Sequence, residues 1–322
     1  DMPREAAHAL LAQYVGDEKA QYAKAMMDGE TISRFLTSMV NRTYEIRAKT
    51  LDPADIVAIY ANSRFVEQTR QLGVAAQFSV ARAVELTLKR FGAPIDDASL
   101  SIALGYVLNA RTGYATRHIL DKDTHLIVAC HDEPRFVPSV ITEFGEKFGV
   151  KGVQAFKGKK DKKTLRNAIR TSPPKTTYWF NGHGSPNHFW LDEDPFSAET
   201  VRQSPASISF EELAEDLIAR ARLHDGDLSD INIMVNACFS ANFIVRTLNE
   251  LSKAGIRKLP VVVAVANRGT LGWGDALFGN INNTATGETL TMEAVYAAEE
   301  GAARDQDMAF FLPVGEETLA SL

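Results

Sequence analysis

The stretch TTYWFNGHGSP, residues 176–186, joins an apolar run of strand length to a turn of small residues that carries His183. A second stretch, INIMVNACFS at residues 231–240, repeats this pattern and carries Cys238 in its turn. Short apolar runs bounded by turn residues are typical of fully buried strands. The sequence therefore predicts two buried strands, each of which ends just before a chemically reactive side chain.

Further apolar runs surround these two, and helical patterns separate them. Strands are predicted at residues 125–130, 152–156, 176–181, 231–236 and 260–266, with a sixth at 308–314. Amphipathic segments lie between them, near residues 136–148, 165–169, 209–222 and 241–253. Strands that alternate with helices predict an α/β fold, here a mostly parallel sheet of about six strands flanked by helices.

Residues 1–120 show a different pattern, because nearly all of this part is predicted to be helical. Asp52 and Pro53 are typical of a helix start, and Gly92 of a helix end. We therefore predict two domains, a helical domain over residues 1–120 and an α/β domain over residues 121–322. The helical domain is expected to be regulatory or to bind a partner protein.

The composition indicates a globular protein and excludes some functions. Of the 322 residues, 45% are hydrophobic and 24% are charged. The net charge of −6 argues against a nucleic-acid binder, which usually carries a basic face. No apolar run approaches the ~18 residues that a membrane span requires.

The cysteines bear on the location of the protein. Two of them, Cys130 and Cys238, are too few for a disulfide framework, so we expect free thiols and a cytoplasmic location. The chain begins at Asp1 and not at Met. We therefore expect the natural N-terminus to be missing, which leaves a targeting segment and secretion open.

His183 and Cys238 are expected to meet at one edge of the sheet, because loops that leave the carboxyl ends of parallel strands share that edge. A thiolate there can attack a carbonyl carbon while the imidazole transfers the proton. Backbone N–H groups can stabilise the oxyanion that develops. We therefore predict His183 as general acid and base, Cys238 as nucleophile, and the amides of Gly184 and Cys238 as the oxyanion hole.

The two motifs, their order and their strand context make residues 120–322 resemble the caspase-like cysteine peptidases of clan CD, which include caspases, metacaspases, legumain, clostripain and the CHAT peptidases. Cys238 follows His183 by 55 residues, close to the ~50 typical of caspases. The resemblance implies an endopeptidase that cleaves protein or peptide substrates through a thioester acyl-enzyme. It also implies no required cofactor, activation by calcium in some members, and a zymogen that cuts itself in an exposed loop.

The resemblance also suggests which residues bind the substrate. Asn236 stands two residues before the nucleophile, where clostripain-like and legumain-like peptidases carry an acid. Asp132 could supply a charge to the same pocket, as could Arg135 with the opposite sign. The loop after the fifth strand would wall the substrate groove, with Trp273 and Asp275 as candidates. The caspase string Gln-Ala-Cys-x-Gly is absent, so a close relationship to caspases is not expected.

Other interpretations of the same residues remain open. His183 could have a structural role in its turn, and Cys238 could be an inert thiol. A zinc site formed by His183, His188 and Cys238 is disfavoured, because a second pair of ligands at zinc spacing is missing, and we predict no metal. At the level of the whole protein, the alternatives are a catalytically idle caspase-like adaptor and a cysteine acyltransferase or amidase on the same fold.

Overall fold

The computed structural model of the protein describes residues 4–40, 42, 46–47, 49, 51–134, 136, 138–192, 207–266, 288–300 and 307–312. The chain divides into two compact units: residues up to Gly113 belong to the first, and residues 114–298 and 308–312 belong to the second. None of the described helices is long and apolar enough to cross a membrane.

The described part of the first unit is helical. Its helices are α1 (Arg4–Val15), α2 (Asp17–Met26), α3 (Gly29–Met39), α4 (Pro53–Tyr60), α5 (Ser63–Thr69), α6 (Val74–Phe91) and α7 (Asp97–Gly113). Asp52 caps α4 as predicted, since its carboxylate accepts a hydrogen bond of 2.9 Å from the amide of Ala54. Gly92 ends α6 with φ 62°, a conformation that favours glycine. The buried faces of these helices share one apolar cluster, which includes Phe35 and Tyr60.

The second unit contains the strands. They are β1 (His118–Leu120), β2 (His125–Cys130), β3 (Gly152–Lys157), β4 (Thr176–Asn181), β5 (His183–Gly184), β6 (His188–Trp190), β7 (Ser207–Ser209), β8 (Asn232–Asn236), β9 (Val261–Ala266), β10 (Leu290–Thr291) and β11 (Asp307–Phe311). Strand β1 pairs with β10, so the helical pattern predicted up to residue 120 ends earlier in the structure.

Six of the strands form the central sheet, in the order β11-β9-β8-β4-β2-β3. The five strands from β9 to β3 in this order are parallel to their neighbours. The α/β fold and its mostly parallel sheet are thus confirmed. Strand β3 pairs with one side of β2, whereas β4 pairs with the other side and β8 and β9 follow beyond it. The direction in which successive strands are added therefore reverses at the junction of β2 and β4. Ligand sites of open parallel sheets form in the crevice at such a junction.

Helices cover both faces of the sheet. They are α8 (Pro138–Lys147), α9 (Lys162–Arg170), α10 (Phe210–Leu223), α11 (Ser240–Lys253) and α12 (Met292–Glu300). Along β2, Leu126, Val128 and Cys130 join the buried cluster of α8 and α12, whereas Ile127 and Ala129 join that of α9, α10 and α11. This alternation follows from the two-residue period of a strand, so the apolar runs of the sequence are buried on both sides.

The basic stretch from Lys157 to Lys163 is more structured than the solvated loop that its charges suggest. Residues Lys159–Asp161 form a turn of 3-10 helix, and α9 begins at Lys162. The Nζ of Lys162 lies 2.9 Å from the carboxylate of Glu212 at the start of α10. Further along α9, Arg166 and Arg170 both contact the fully buried carboxylate of Asp216. These ion pairs fix α9 against α10 on one face of the sheet.

Candidate active site

Strands β4 and β8 carry the two motifs and lie side by side in parallel. At their ends Asn181 is paired with Asn236. The side-chain amide of Asn236 donates a hydrogen bond of 2.8 Å to Asn181, and the amide of Gly182 donates one of 3.0 Å to the carbonyl of Asn236. The predicted adjacency of these strands is therefore confirmed, and their turns leave the same edge of the sheet.

Gly184 brings the two turns into direct contact. A Cβ atom at this position would lie 2.5 Å from the carbonyl oxygen of Cys238 and 3.1 Å from the Cβ of Ala237. Real Cβ atoms do not approach a carbonyl oxygen so closely, so the contact requires glycine. The backbone beside His183 thus packs against the backbone of Cys238.

The hairpin after His183 sets the direction of the Gly184 amide. Strands β5 and β6 are antiparallel, with His183 opposite Trp190 and Gly184 opposite Phe189. The amide of Ser185 donates a hydrogen bond of 2.8 Å to the carbonyl of His188. Hydrogen-bonded and non-hydrogen-bonded pairs alternate in an antiparallel ladder. The amide of Gly184 is therefore directed away from β6, as a donor in an oxyanion hole would be.

Cys238 lies in a tight turn between β8 and α11. Phe239, the next residue, adopts the left-handed conformation with φ 56° and ψ 18°, and α11 begins at Ser240. A bulky residue is strained in this conformation, and such strain is concentrated at functional sites. Cys238 is not part of a disulfide and is partly exposed. The turn thus holds the thiol at the surface, beside the first turn of a helix.

A third loop contributes to the site a residue, Glu133, that was not among the candidates predicted from the sequence. The carboxylate of Glu133, three residues after the end of β2, lies 3.1 Å from the Nε2 of His183. Its neighbour Asp132 was predicted instead, and only as a charge in the substrate pocket. Loops from β2, β4 and β8 therefore supply Glu133, His183 and Cys238 in turn, at the junction where the strand order reverses.

Aromatic rings surround the imidazole of His183, a residue that is buried as a whole. The rings of His131 and Phe136 lie edge-on to it, with centroids 4.8 and 5.1 Å away. Together with the Glu133 contact, this packing restricts the rotation of the imidazole. The carboxylate of Glu133 lies against the Nε2 of this ring, so proton transfer from a thiol would use Nδ1.

The same residues form a group that could hold a metal ion. Ligand atoms of His131, Glu133 and His183 all lie within 4.8 Å of one another. The Nδ1 of His131 accepts a hydrogen bond of 3.0 Å from the amide of Glu133, so a neutral ring carries its proton on Nε2. Neither nitrogen of His131 then offers a lone pair to a metal unless this bond breaks. The group is therefore better suited to hydrogen bonding.

His188 begins strand β6 of the hairpin. Its ring packs against Trp190, with centroids 5.6 Å apart. Burial lowers its pKa, so the ring favours the neutral form. Among the described residues, neither His188 nor Cys238 belongs to the metal-ligand group.

The residues predicted to bind substrate have different surroundings. Asn236 is buried and its amide is bonded to Asn181. The carboxylate of Asp132 is turned towards the end of β3, where a Cβ on Gly158 would lie 3.1 Å from it. Trp273, Asp275 and Arg135 lie outside the described residues. The roles of these residues in substrate binding stay predictions.

Comparisons with known proteins found no match for this chain. No protein-family model matches it, and searches of curated proteins and of solved structures found no similar protein.

Proposed function

We propose that the protein is a cysteine endopeptidase with a caspase-like catalytic domain. Cys238 gives up its thiol proton to His183 and attacks the peptide carbonyl carbon, and the amides of Gly184 and Cys238 stabilise the oxyanion. The C–N bond breaks as His183 protonates the leaving amine, which leaves a thioester. Water, deprotonated by His183, then hydrolyses the thioester and restores the thiol.

The contact between Gly184 and Cys238 carries this proposal. Two turns with reactive side chains share a sheet edge in any parallel sheet that contains them. Here their backbones meet so closely that a Cβ on Gly184 would lie 2.5 Å from the Cys238 carbonyl oxygen. This contact places the backbone of the proposed oxyanion donor Gly184 beside the backbone of the proposed nucleophile, as an oxyanion hole formed by these two residues needs.

The rest of the proposal concerns the surroundings of the site. Asn236, Asp132, Trp273 and Asp275 are proposed to select the substrate, and the helical first unit to regulate the peptidase or bind a partner. The chemistry needs no cofactor, and activation by calcium is a property to be tested. A cytoplasmic location is part of the same proposal, because it would keep both thiols reduced.

The decisive experiment exposes the protein to a diverse peptide library, with and without calcium. The matched variants are Cys238→Ala and Cys130→Ala, which remove one thiol each from the ends of two parallel strands. We expect the wild type and Cys130→Ala to cleave, and Cys238→Ala to be inactive. Sequencing of the products gives the residue preferred before the cut.

The other outcomes contradict the proposal in different ways. If no form of the protein cleaves any peptide under either condition, the idle adaptor becomes the better interpretation. If simple amides or esters react in a Cys238-dependent manner but peptides do not, the protein is an amidase or acyltransferase.

A further inference from the structure

We propose that Glu133 is a positioning residue that completes a Cys238–His183–Glu133 triad. The inference rests on the proposed function and deepens it. The carboxylate of Glu133 lies 3.1 Å from the Nε2 of His183. An ionised carboxylate only accepts hydrogen bonds, so it selects the form of the ring with a proton on Nε2. Nδ1 then has a lone pair for the thiol proton.

The loop that carries Glu133 is fixed to the elements that carry His183. Two consecutive backbone amides make the connection, and the next one forms a hydrogen bond within the loop. The amide of His131 donates to the carbonyl of Asn181 at 3.1 Å, and that of Asp132 to the carbonyl of Leu191 at 2.9 Å. The amide of Glu133 donates to the Nδ1 of His131 at 3.0 Å. The backbone of Glu133 is therefore held beside His183, and its side chain spans the remaining distance to the imidazole.

A second glycine supports this arrangement. A Cβ on Gly182 would lie 2.8 Å from the Cβ of His131 and 3.2 Å from its backbone nitrogen. The chain just before His183 thus packs directly against the start of the Glu133 loop. Two glycines on either side of His183 make two close contacts, Gly182 with the carboxylate loop and Gly184 with the thiol turn.

The charge of Glu133 has a second consequence for the reaction. His183 becomes an imidazolium ion after it takes the thiol proton, and the adjacent carboxylate stabilises that cation. The Glu133 side chain is 41% exposed and that of His183 11%. Because solvent screens the carboxylate, its effect on the rate should be smaller than that of a fully buried acid in a triad.

The test compares Glu133→Gln, Glu133→Asp and the control Glu146→Gln, which makes the same charge change on an exposed residue of α8. We expect kcat to fall by roughly 10- to 100-fold in Glu133→Gln with KM nearly unchanged, because the acid acts on the imidazole and not on the substrate. Glu133→Asp keeps the charge and should recover part of the loss. Glu146→Gln should behave as the wild type.

A second readout does not depend on turnover. The amide of Glu133→Gln can donate to Nε2, which would move the proton of the neutral His183 ring to Nδ1. Nitrogen-15 NMR of the His183 ring distinguishes the two tautomers directly. We expect the Nε2–H form in the wild type and a shift towards the Nδ1–H form in Glu133→Gln.

The outcomes separate this inference from the proposed function. If peptides are cleaved in a Cys238-dependent manner while Glu133→Gln keeps wild-type kcat and the same tautomer, the role of Glu133 is refuted and the peptidase stands. If nothing is cleaved but the tautomer changes as expected, the peptidase fails and the positioning contact stands. Metal chelation should alter neither readout, since the inference needs no ion.

Discussion

The ends of strands β2 and β8 each carry a cysteine, and the two thiols differ in nearly every physical respect. Cys130 is the last residue of β2, fully buried in the apolar cluster beneath α8 and α12. Burial raises the pKa of its thiol to about 12, although the neighbouring Lys157 opposes the shift. Cys238 lies two residues beyond the end of β8, in a turn, and is partly exposed.

Whether a thiol is buried thus depends on whether its residue lies inside the strand or beyond the strand's end. Inside a strand, side chains alternate between the two faces, so Cys130 must enter the apolar layer together with Val128. Past the end of a strand, this restriction no longer applies. The sequence contains the same distinction, since the run HLIVAC stays apolar up to Cys130, whereas Asn236 ends the apolar run before Cys238.

The largest expected effect is on the rates at which the two thiols react. At pH 8, a thiol with a pKa of about 12 is ionised in only about one molecule in 10⁴, and only the thiolate reacts. We expect iodoacetamide to alkylate Cys238 at least ~1000-fold faster than Cys130 in the folded protein, as measured by peptide mass spectrometry.

His183→Ala provides the control for activation by the imidazole. It should slow the alkylation of Cys238 and leave that of Cys130 unchanged. If both thiols of the folded wild type are alkylated at comparable rates, the prediction that burial protects Cys130 is wrong. In denaturant the two rates should converge, because burial then no longer protects Cys130.

The second effect concerns the close contact between Gly184 and the Cys238 turn. In Gly184→Ala the new Cβ would lie 2.5 Å from the Cys238 carbonyl oxygen, so the turn must move. Displacements approaching 1 Å can cost about 100-fold in rate, and we expect a loss of this order in peptide cleavage. The matched control is Gly152→Ala on β3, whose Cβ would meet nothing closer than 3.4 Å.

Gly152→Ala should keep wild-type cleavage, which excludes a general effect of an added methyl group. Circular dichroism and the thermal midpoint of Gly184→Ala show whether the unit is still folded. Full activity in a folded Gly184→Ala protein would mean that the contact does not position the catalytic groups.

Much of the fold follows from the sequence because apolar runs between turn residues have few alternatives. All six predicted strands of the central sheet are present, and β4 and β8 are neighbours as sequential parallel strands should be. The antiparallel sheet of β5, β6 and β7 is harder to predict, because its strands contain only two or three residues. So short a segment shows no hydrophobic period.

From the sequence, only the site residues that directly follow long apolar strands could be predicted. His183 and Cys238 each follow a long apolar run, but the loop after β2 reads His-Asp-Glu-Pro at residues 131–134 and offers two adjacent acids. Their side chains diverge, since Asp132 faces Gly158 and Glu133 faces His183. This choice depends on backbone hydrogen bonds to Asn181 and Leu191, which are distant in sequence. The one available indication was that Glu133 follows β2, because functional residues of open parallel sheets lie where the strand order reverses, here between β2 and β4.

The smallest expected effect is on the stability of the protein at alkaline pH. It tests whether the Cys130 thiol is buried. The pKa of the Cys130 thiol rises on folding from an ordinary value of 9.0 to about 12. The contribution of this group to stability is therefore fully present below pH 9 and is lost as the pH rises towards 12. Between pH 8 and pH 10 the loss should be about 1 kcal/mol. Urea unfolding at both pH values measures it as a change in the free energy of unfolding.

The variant Cys130→Ala isolates the thiol from the other groups that titrate in this range. Burial also raises the pKa of Tyr60 and Tyr178 to about 12, so the wild type alone cannot assign the effect. These tyrosines are the same in both proteins and cancel in the difference between them. The stability advantage of the wild type over Cys130→Ala should shrink by about 1 kcal/mol from pH 8 to pH 10. If this difference in the free energy of unfolding stays the same at both pH values, Cys130 is solvated in the folded protein. Burial then does not distinguish Cys130 from Cys238.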